Sequence, residues 1–393
     1  MKPFSLCLFR IATSIGKSLS SQEIEISKSL KSSLDTDLPS ADSLFNLLFH
    51  QITNNEVSSE LISPINSQLT KALFEDLNYY EQNFNDSTNS IKRKLLNFYP
   101  LKQGTHLSMI GYFDKKSVES NLVMLVNLIV HVDKGKITFS SPLAYNTKAW
   151  KQMKVGNVTY HYRDSLREDR AEKFAQKNRL FAARFKKQPK TLKFYMVNNY
   201  QEILRLLGIQ FHAGSVGRLR DGYGVLADEY IFSVMNNEDF SHDLFHYYSG
   251  SVHNQSVRNW VTEEGIAYSW GNAYYTRIDG EMGEQDELVR LLVEYLNENQ
   301  EADLLSLFEN NFWTDTSGIY DHLAPDFKVG RLISSIICDE VMRIHGMDGI
   351  NQLISCGSKP NRFDPFFETT DRLINLNRDN FQNKLKELIG ARS

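Results

Sequence analysis

Two histidines four residues apart, His242 and His246, stand in the stretch Ser241-His242-Asp243-Leu244-Phe245-His246-Tyr247-Tyr248. On an α-helix, positions i and i+4 lie one above the other on a single face, so this spacing presents two imidazoles side by side. A second stretch, Asn259-Trp260-Val261-Thr262-Glu263-Glu264-Gly265-Ile266-Ala267-Tyr268, reads as another helix, this one carrying carboxylates. Positions 247–263 are enough chain to finish the first helix, turn, and lay the second beside it. Asn236-Asn237 offers an N-cap for the first helix, Glu238 and Asp239 suit its first turn, and Gly250 offers a stop. The constraint on the fold is therefore a contact between two helices.

Neutral imidazole is a good zinc ligand, and catalytic zinc commonly takes three protein ligands plus water. His242 and His246 supply two, and Glu264 is the expected third, because Gly265 and Ala267 let its helix pack tightly against a neighbour. Glu263 competes for that place. It points about 100° away on the helix, so only one of the two carboxylates can face the metal. Tyr247, Tyr248 and Trp260 read as core packing, His253 and His212 as loop residues, and His50 as a surface residue. His106 and His131 read as structural residues of strands.

The rest of the 393-residue chain bounds the function classes. Hydrophobic residues make up 41% and charged residues 23%, a globular composition. A net charge of −4 gives no reason to expect nucleic acid as a partner. Cys7, Cys338 and Cys356 form neither a disulfide framework nor a Cys-rich metal cluster; Cys338 and Cys356 are the one conceivable pair, with free buried thiols the expectation. The apolar run after Lys2 resembles an export signal but is interrupted by Arg10, and an ordinary amphipathic helix explains it equally well. No integral membrane span is expected, since the 122–132 run is too short and contains Asn127 and His131.

Periodicity gives an α+β chain. Residues 1–104 read as a helical N-terminal region, with stripes at Leu44, Phe45, Leu48 and at Leu69, Leu73, Leu77 and a polar link at 85–89. Residues 105–149 read as a small antiparallel β unit, with Asp133-Lys134-Gly135 as a hairpin turn. Residues 150–280 read as α/β, with strands at 158–162, 191–197 and 230–234, a long helix over 163–187 and a short one over 201–207. The basic residues of the long helix, including Arg170 and Lys177, read as a solvated face. Residues 281–393 read as a helical subdomain. One helix there runs from Val329 and stops at Gly346, a shorter one follows to Ile354, and a last one covers 373–389.

The His-x-x-x-His helix, the Glu-Gly-x-Ala helix and the strand-and-helix frame around them resemble the gluzincin metallopeptidases, over roughly 150–355 and most strongly over 222–270. The resemblance implies zinc held by His242, His246 and Glu264, a peptide or protein substrate laid along a strand edge at 224–230, and an extracytoplasmic location. It also implies an oxyanion-stabilising Tyr or His from the helical side, for which Tyr320 and His322 are the candidates. One departure stands out. The family's general base is a glutamate after the first histidine; here it is Asp243. Aspartate has the carboxylate that takes a proton from the attacking water, but on a stem one methylene shorter. A zinc-dependent metallopeptidase with Asp243 as base is the expected function. The alternative is a catalytically impaired relative that binds peptide or a protein partner.

Overall fold

The computed structural model describes residues 23–28, 30–31, 41–84, 91–114, 121–213, 223–225, 229–271, 277, 281, 283–323, 327–359 and 361–392. The signal-like start with Cys7, the 85–89 link, and positions 226–228 of the expected strand edge lie outside these residues. The fold is mixed α/β, with two sheets and twelve helices among the described residues. It divides into two compact units, one of residues 2–151 and 198–228, the other of 152–197 and 229–393.

The first unit begins with β1 (Glu25–Ile26), α1 (Ala41–Thr53) and α2 (Ser67–Phe84), followed by β2 (Ile91–Lys102), β3 (Thr105–Asp114), β4 (Asn121–Asp133), β5 (Lys136–Ser140) and α3 (Leu143–Asn146). Strands β2 to β5 form an antiparallel meander, with β1 parallel to β2. The expected hairpin is present: Lys134 and Gly135 both take positive φ, 49° and 81°, as a tight two-residue turn requires. Both expected helices are present too, burying Phe45, Leu48, Leu73 and Leu77.

Residues 91–102, read as part of a helical region, are instead a twelve-residue strand. Its inward positions include Ile91, Arg93 and Leu95, so a charged residue occupies a core position and hides the alternation. Arg93 is stabilised there by a bidentate pair with Glu81 of α2, at 2.8 and 2.6 Å, and by Thr53 of α1 at 2.6 Å.

The second unit carries β6 (Lys151–Val155), β7 (Val158–Tyr162), α4 (Glu168–Arg184) and β8 (Leu192–Met196). The chain returns to the first unit for α5 (Tyr200–Leu207), β9 (Ile209–His212) and β10 (Tyr223–Val225), with β9 antiparallel to β4. It resumes the second unit with β11 (Tyr230–Ser233), α6 (Ser241–Gly250), α7 (Trp260–Trp270), α8 (Gln285–Glu298), α9 (Leu304–Asn310), α10 (Val329–Ile354), α11 (Phe363–Ile374) and α12 (Phe381–Gly390).

Strands β7, β8 and β11 are parallel, in the order β11–β8–β7. Helix α4 is the crossover that a parallel β7–β8 pair demands. Its Phe174 meets Phe194 of β8 edge to face at 5.3 Å, and its Phe181 meets Phe245 of α6 at 6.1 Å. Arg170 and Lys177 of α4 are not a solvated face. Arg170 is buried against Glu238, and Lys177 reaches Asp239 and Ser241.

Helix α10 breaks where expected, at Gly346 (φ 59°, ψ −152°). The tail expected as one helix over 373–389 is two. Asn375 adopts the left-handed conformation that ends α11, and reciprocal side-chain bonds between Asn377 and Asn380 build the turn before α12. Cys338 and Cys356 are free thiols, Cys338 buried in the core as expected. No helix among the described residues is long and apolar enough to cross a membrane.

Candidate metal centre

Helix α6 starts at Ser241, later than the Asn236-Asn237 cap expected from the sequence. Met235 and Asn236 take positive φ in a turn, and the Asp239 carboxylate then accepts from the Ser241 N–H (2.9 Å) and hydroxyl (2.7 Å). Tyr248 ties α6 to α4, donating to Asn178 Oδ1 at 2.6 Å. Helix α7 begins at Asn259, whose side chain accepts from the N–H groups of Val261 and Thr262 at 3.0 and 3.1 Å. The same amide donates to the carbonyl oxygens of Gly357 and Arg362.

Helix α7 is buried nearly all round. Gly265 makes that possible: a Cβ there would lie 2.3 Å from Ser334 Oγ and 2.8 Å from the Ser334 carbonyl carbon on α10. Gly271, just past its end, does the same towards α6, where a Cβ would come 3.0 Å from His242 Cα. The tight packing expected of Gly265 is thus a contact with α10.

These contacts bring His242, His246 and Glu264 together, all three buried. The two histidine Nε2 atoms are 3.2 Å apart, and Glu264 places Oε2 3.4 Å from His242 Nε2 and Oε1 3.6 Å from His246 Nε2. Ligands about 2.0–2.1 Å from a tetrahedral zinc are separated from one another by roughly 3.3–3.4 Å. The Nε2–Nε2 separation matches that edge length; Glu264 turns a different oxygen to each imidazole, and with one ligand atom from each residue the three lie within 4.8 Å of one another, so the group could hold a metal ion.

Glu263 does not compete for the same point. It reaches the other side of His246, where Oε2 accepts from Nδ1 at 2.9 Å. Two successive carboxylates therefore straddle one imidazole. Glu263 is fully buried and also accepts from Arg258 Nη2 and Ser249 Oγ. Glu264 has its own cation, with Arg331 Nη1 of α10 2.7 Å from Oε2. Neither arginine was expected from the sequence. Arg258 lies in the loop before α7 and Arg331 lies far along the chain, so neither carries a local signature.

Electrostatics follow from these partners. Burial pushes the His242 ring down, towards the neutral form a metal ligand needs. Burial also opposes charging His246, but the Glu263 hydrogen bond and the charges of Glu264, Glu263 and Asp243 raise it. Burial would raise Glu264; its hydrogen bond with His242 and the charges of Arg331 and both histidines outweigh this and hold it far below the usual carboxylate range. Glu263 is lowered in the same way, against burial, by its bonds to His246 and Arg258.

Asp243 sits half-buried beside His242 on α6, near enough for its charge to act on both rings. Tyr320 is a core residue whose hydroxyl donates to the Leu288 carbonyl oxygen at 3.1 Å, and His322 is exposed on the turn that follows. Among the described residues neither hydrogen-bonds to the triad, so the oxyanion role expected of them gains no geometry.

The remaining histidines have local partners. His131 pairs with Ser140, His253 with Ser355 and Asn351, and His106 stacks on Phe98. His212, read as a loop residue, is the buried end of β9. Searches of family models, of curated proteins and of solved structures find no match to this chain.

Proposed function

We propose that the chain is a zinc-dependent metallopeptidase of gluzincin type. The observation that carries this is the buried His242–His246–Glu264 cluster, in which the two Nε2 atoms are 3.2 Å apart and a Glu264 oxygen approaches each imidazole, Oε2 at 3.4 Å and Oε1 at 3.6 Å. When bound, zinc polarises a peptide carbonyl and makes water a usable nucleophile near neutral pH. His242, His246 and Glu264 would hold it. Asp243 is the candidate base: it stands on the same helix as the two imidazoles, next to the first of them, and its charge acts on both. Its role is to take the proton of the attacking water and return it to the leaving amine.

A metal-keeping protein that binds peptide without cutting it is the second reading. It is favoured by Asp243 itself, whose stem is one methylene shorter than glutamate. A reach deficit of about an ångström costs on the order of a hundredfold in rate.

Metal analysis of purified protein, followed by a general peptidase assay on wild type, Asp243→Glu and Asp243→Ala, tests both readings. Activity in wild type that is lost in Asp243→Ala with zinc retained supports the enzyme. Activity only in Asp243→Glu refutes it and leaves the binding protein. Absence of stoichiometric zinc removes both.

A further inference from the structure

We infer that Glu263 is a positioning residue that selects which nitrogen His246 offers to a metal, with Arg258 holding Glu263 in the acceptor state. The inference rests on the metal-centre reading, but its chemistry is visible in the protein alone. A neutral imidazole carries one proton, and the partner of one nitrogen decides the state of the other. An ionised carboxylate accepts hydrogen bonds and donates none. Glu263 Oε2 lies 2.9 Å from His246 Nδ1, so that nitrogen keeps the proton and the Nε2 lone pair faces His242 and Glu264.

Three donors from separate places hold Glu263 in that role: His246 in mid-helix, Ser249 in the last turn of α6, and Arg258 from the loop before α7. Gly250 leaves room for the guanidinium to cross the end of α6, since a Cβ there would lie 2.9 Å from Arg258 Nη1. Arg258 Nη2 also approaches the His246 carbonyl oxygen at 3.4 Å, so one arginine engages both the ring's partner and the ring's own backbone. Replacing a buried ion pair by apolar groups of similar volume is often neutral for stability. A role in stability alone would therefore leave the pair replaceable, whereas a role in orientation would not.

Two double variants separate these roles. The amide variant, Arg258→Met with Glu263→Gln, removes both charges but keeps an acceptor oxygen at Nδ1. The thioether variant, Arg258→Met with Glu263→Met, removes the charges and the acceptor oxygen. Three quantities are measured for each: melting of the metal-free protein, zinc affinity by chelator competition, and the His246 tautomer from ¹⁵N shifts of metal-free protein at alkaline pH. The expected result is similar melting for the two, with zinc bound about 10–100-fold more weakly by the thioether variant than by the amide variant. In the thioether variant His246 populates both tautomers, while wild type and the amide variant hold the proton on Nδ1. Equal zinc affinities, or an Nδ1–H tautomer that survives in the thioether variant, overturn the inference. If wild type takes up no zinc, the metal reading falls, and the tautomer comparison alone decides the role of Glu263.

Discussion

Replacing Gly265 by alanine sets two effects of opposite sign against each other. An exposed helix interior gains about 1 kcal/mol from Gly→Ala. Here the new methyl would lie 2.3 Å from Ser334 Oγ and 2.8 Å from the Ser334 carbonyl carbon. The hydroxyl can turn away only by giving up its 2.7 Å bond to the Val261 carbonyl oxygen, a loss of about 1 kcal/mol. The backbone carbon cannot turn away. Bringing 2.8 Å out to an ordinary 3.4 Å moves α7 about 0.6 Å from α10. Overpacking of this kind typically costs about 1–3 kcal/mol. The net expectation is a loss of roughly 1–3 kcal/mol, read as a melting point lower by about 2–4 °C per kcal/mol. Glu264 precedes Gly265 and moves with it. Metal sites tolerate deviations of about 0.2 Å, so zinc affinity should fall tenfold or more. Thermal melting of metal-free protein and zinc competition measure the two effects. Adding Ser334→Gly removes two of the three clashing atoms and should restore part of both losses. A Gly265→Ala protein that melts higher than wild type and binds zinc unchanged would refute the packing argument.

Further outcomes follow from other contacts. Arg93→Met should cost about 3–5 kcal/mol in chemical denaturation, because it leaves Glu81 buried without its cation, and Glu81→Met in the same chain should recover most of that; equal stability of the two would contradict it. Lys177→Met, which unties Ser241 at the start of α6 and Asp239 before it from α4, should destabilise the second unit by about 1–3 kcal/mol and weaken zinc binding several-fold in the same competition assay. His161 is pushed down to about 4 by burial, then by Lys193, while it stacks on Tyr195. Its unfolded form binds a proton near pH 6.5 and its folded form does not, so its contribution is complete above about pH 6.5 and lost as pH falls through about 4. Denaturation midpoints from neutral to acid pH should therefore fall less steeply in His161→Gln than in wild type.

The helices of the metal centre were legible because their signals are local: a spacing of four, a capping Asn259, a small residue after Glu264. Their orientation was not. That Glu263 reaches the far nitrogen of His246 depends on how α7 leans on α6, which Gly265 and Gly271 set through contacts with α10 and with the His242 backbone. Arg331 lies 67 positions beyond Glu264 (331 − 264) and looks like any arginine near a helix start. Strand β2 escapes a periodicity reading for a related reason. Arg93 faces inward to a partner on another element, so the apolar alternation breaks at the position that matters. The split between α11 and α12 was written in Asn375, Asn377 and Asn380, whose turn chemistry outweighs the apolar stripe running across it.

The Arg331–Glu264 pair also bears on how the protein is made. During synthesis both histidines leave the ribosome well before Arg331, followed closely by two adjacent acids bound for the interior. The guanidinium opposing the second acid emerges only with α10, and the carbonyl groups that hold the Asn259 side chain come later still, at Gly357 and Arg362. Until then Glu264 has only the two imidazoles to balance its charge, on a helix whose capping side chain is not yet tied down. The candidate metal pocket is therefore complete only once α10 and the segment from Gly357 to Arg362 have been made, and a polypeptide released before about residue 362 would carry His242, His246 and Glu264 without a finished pocket.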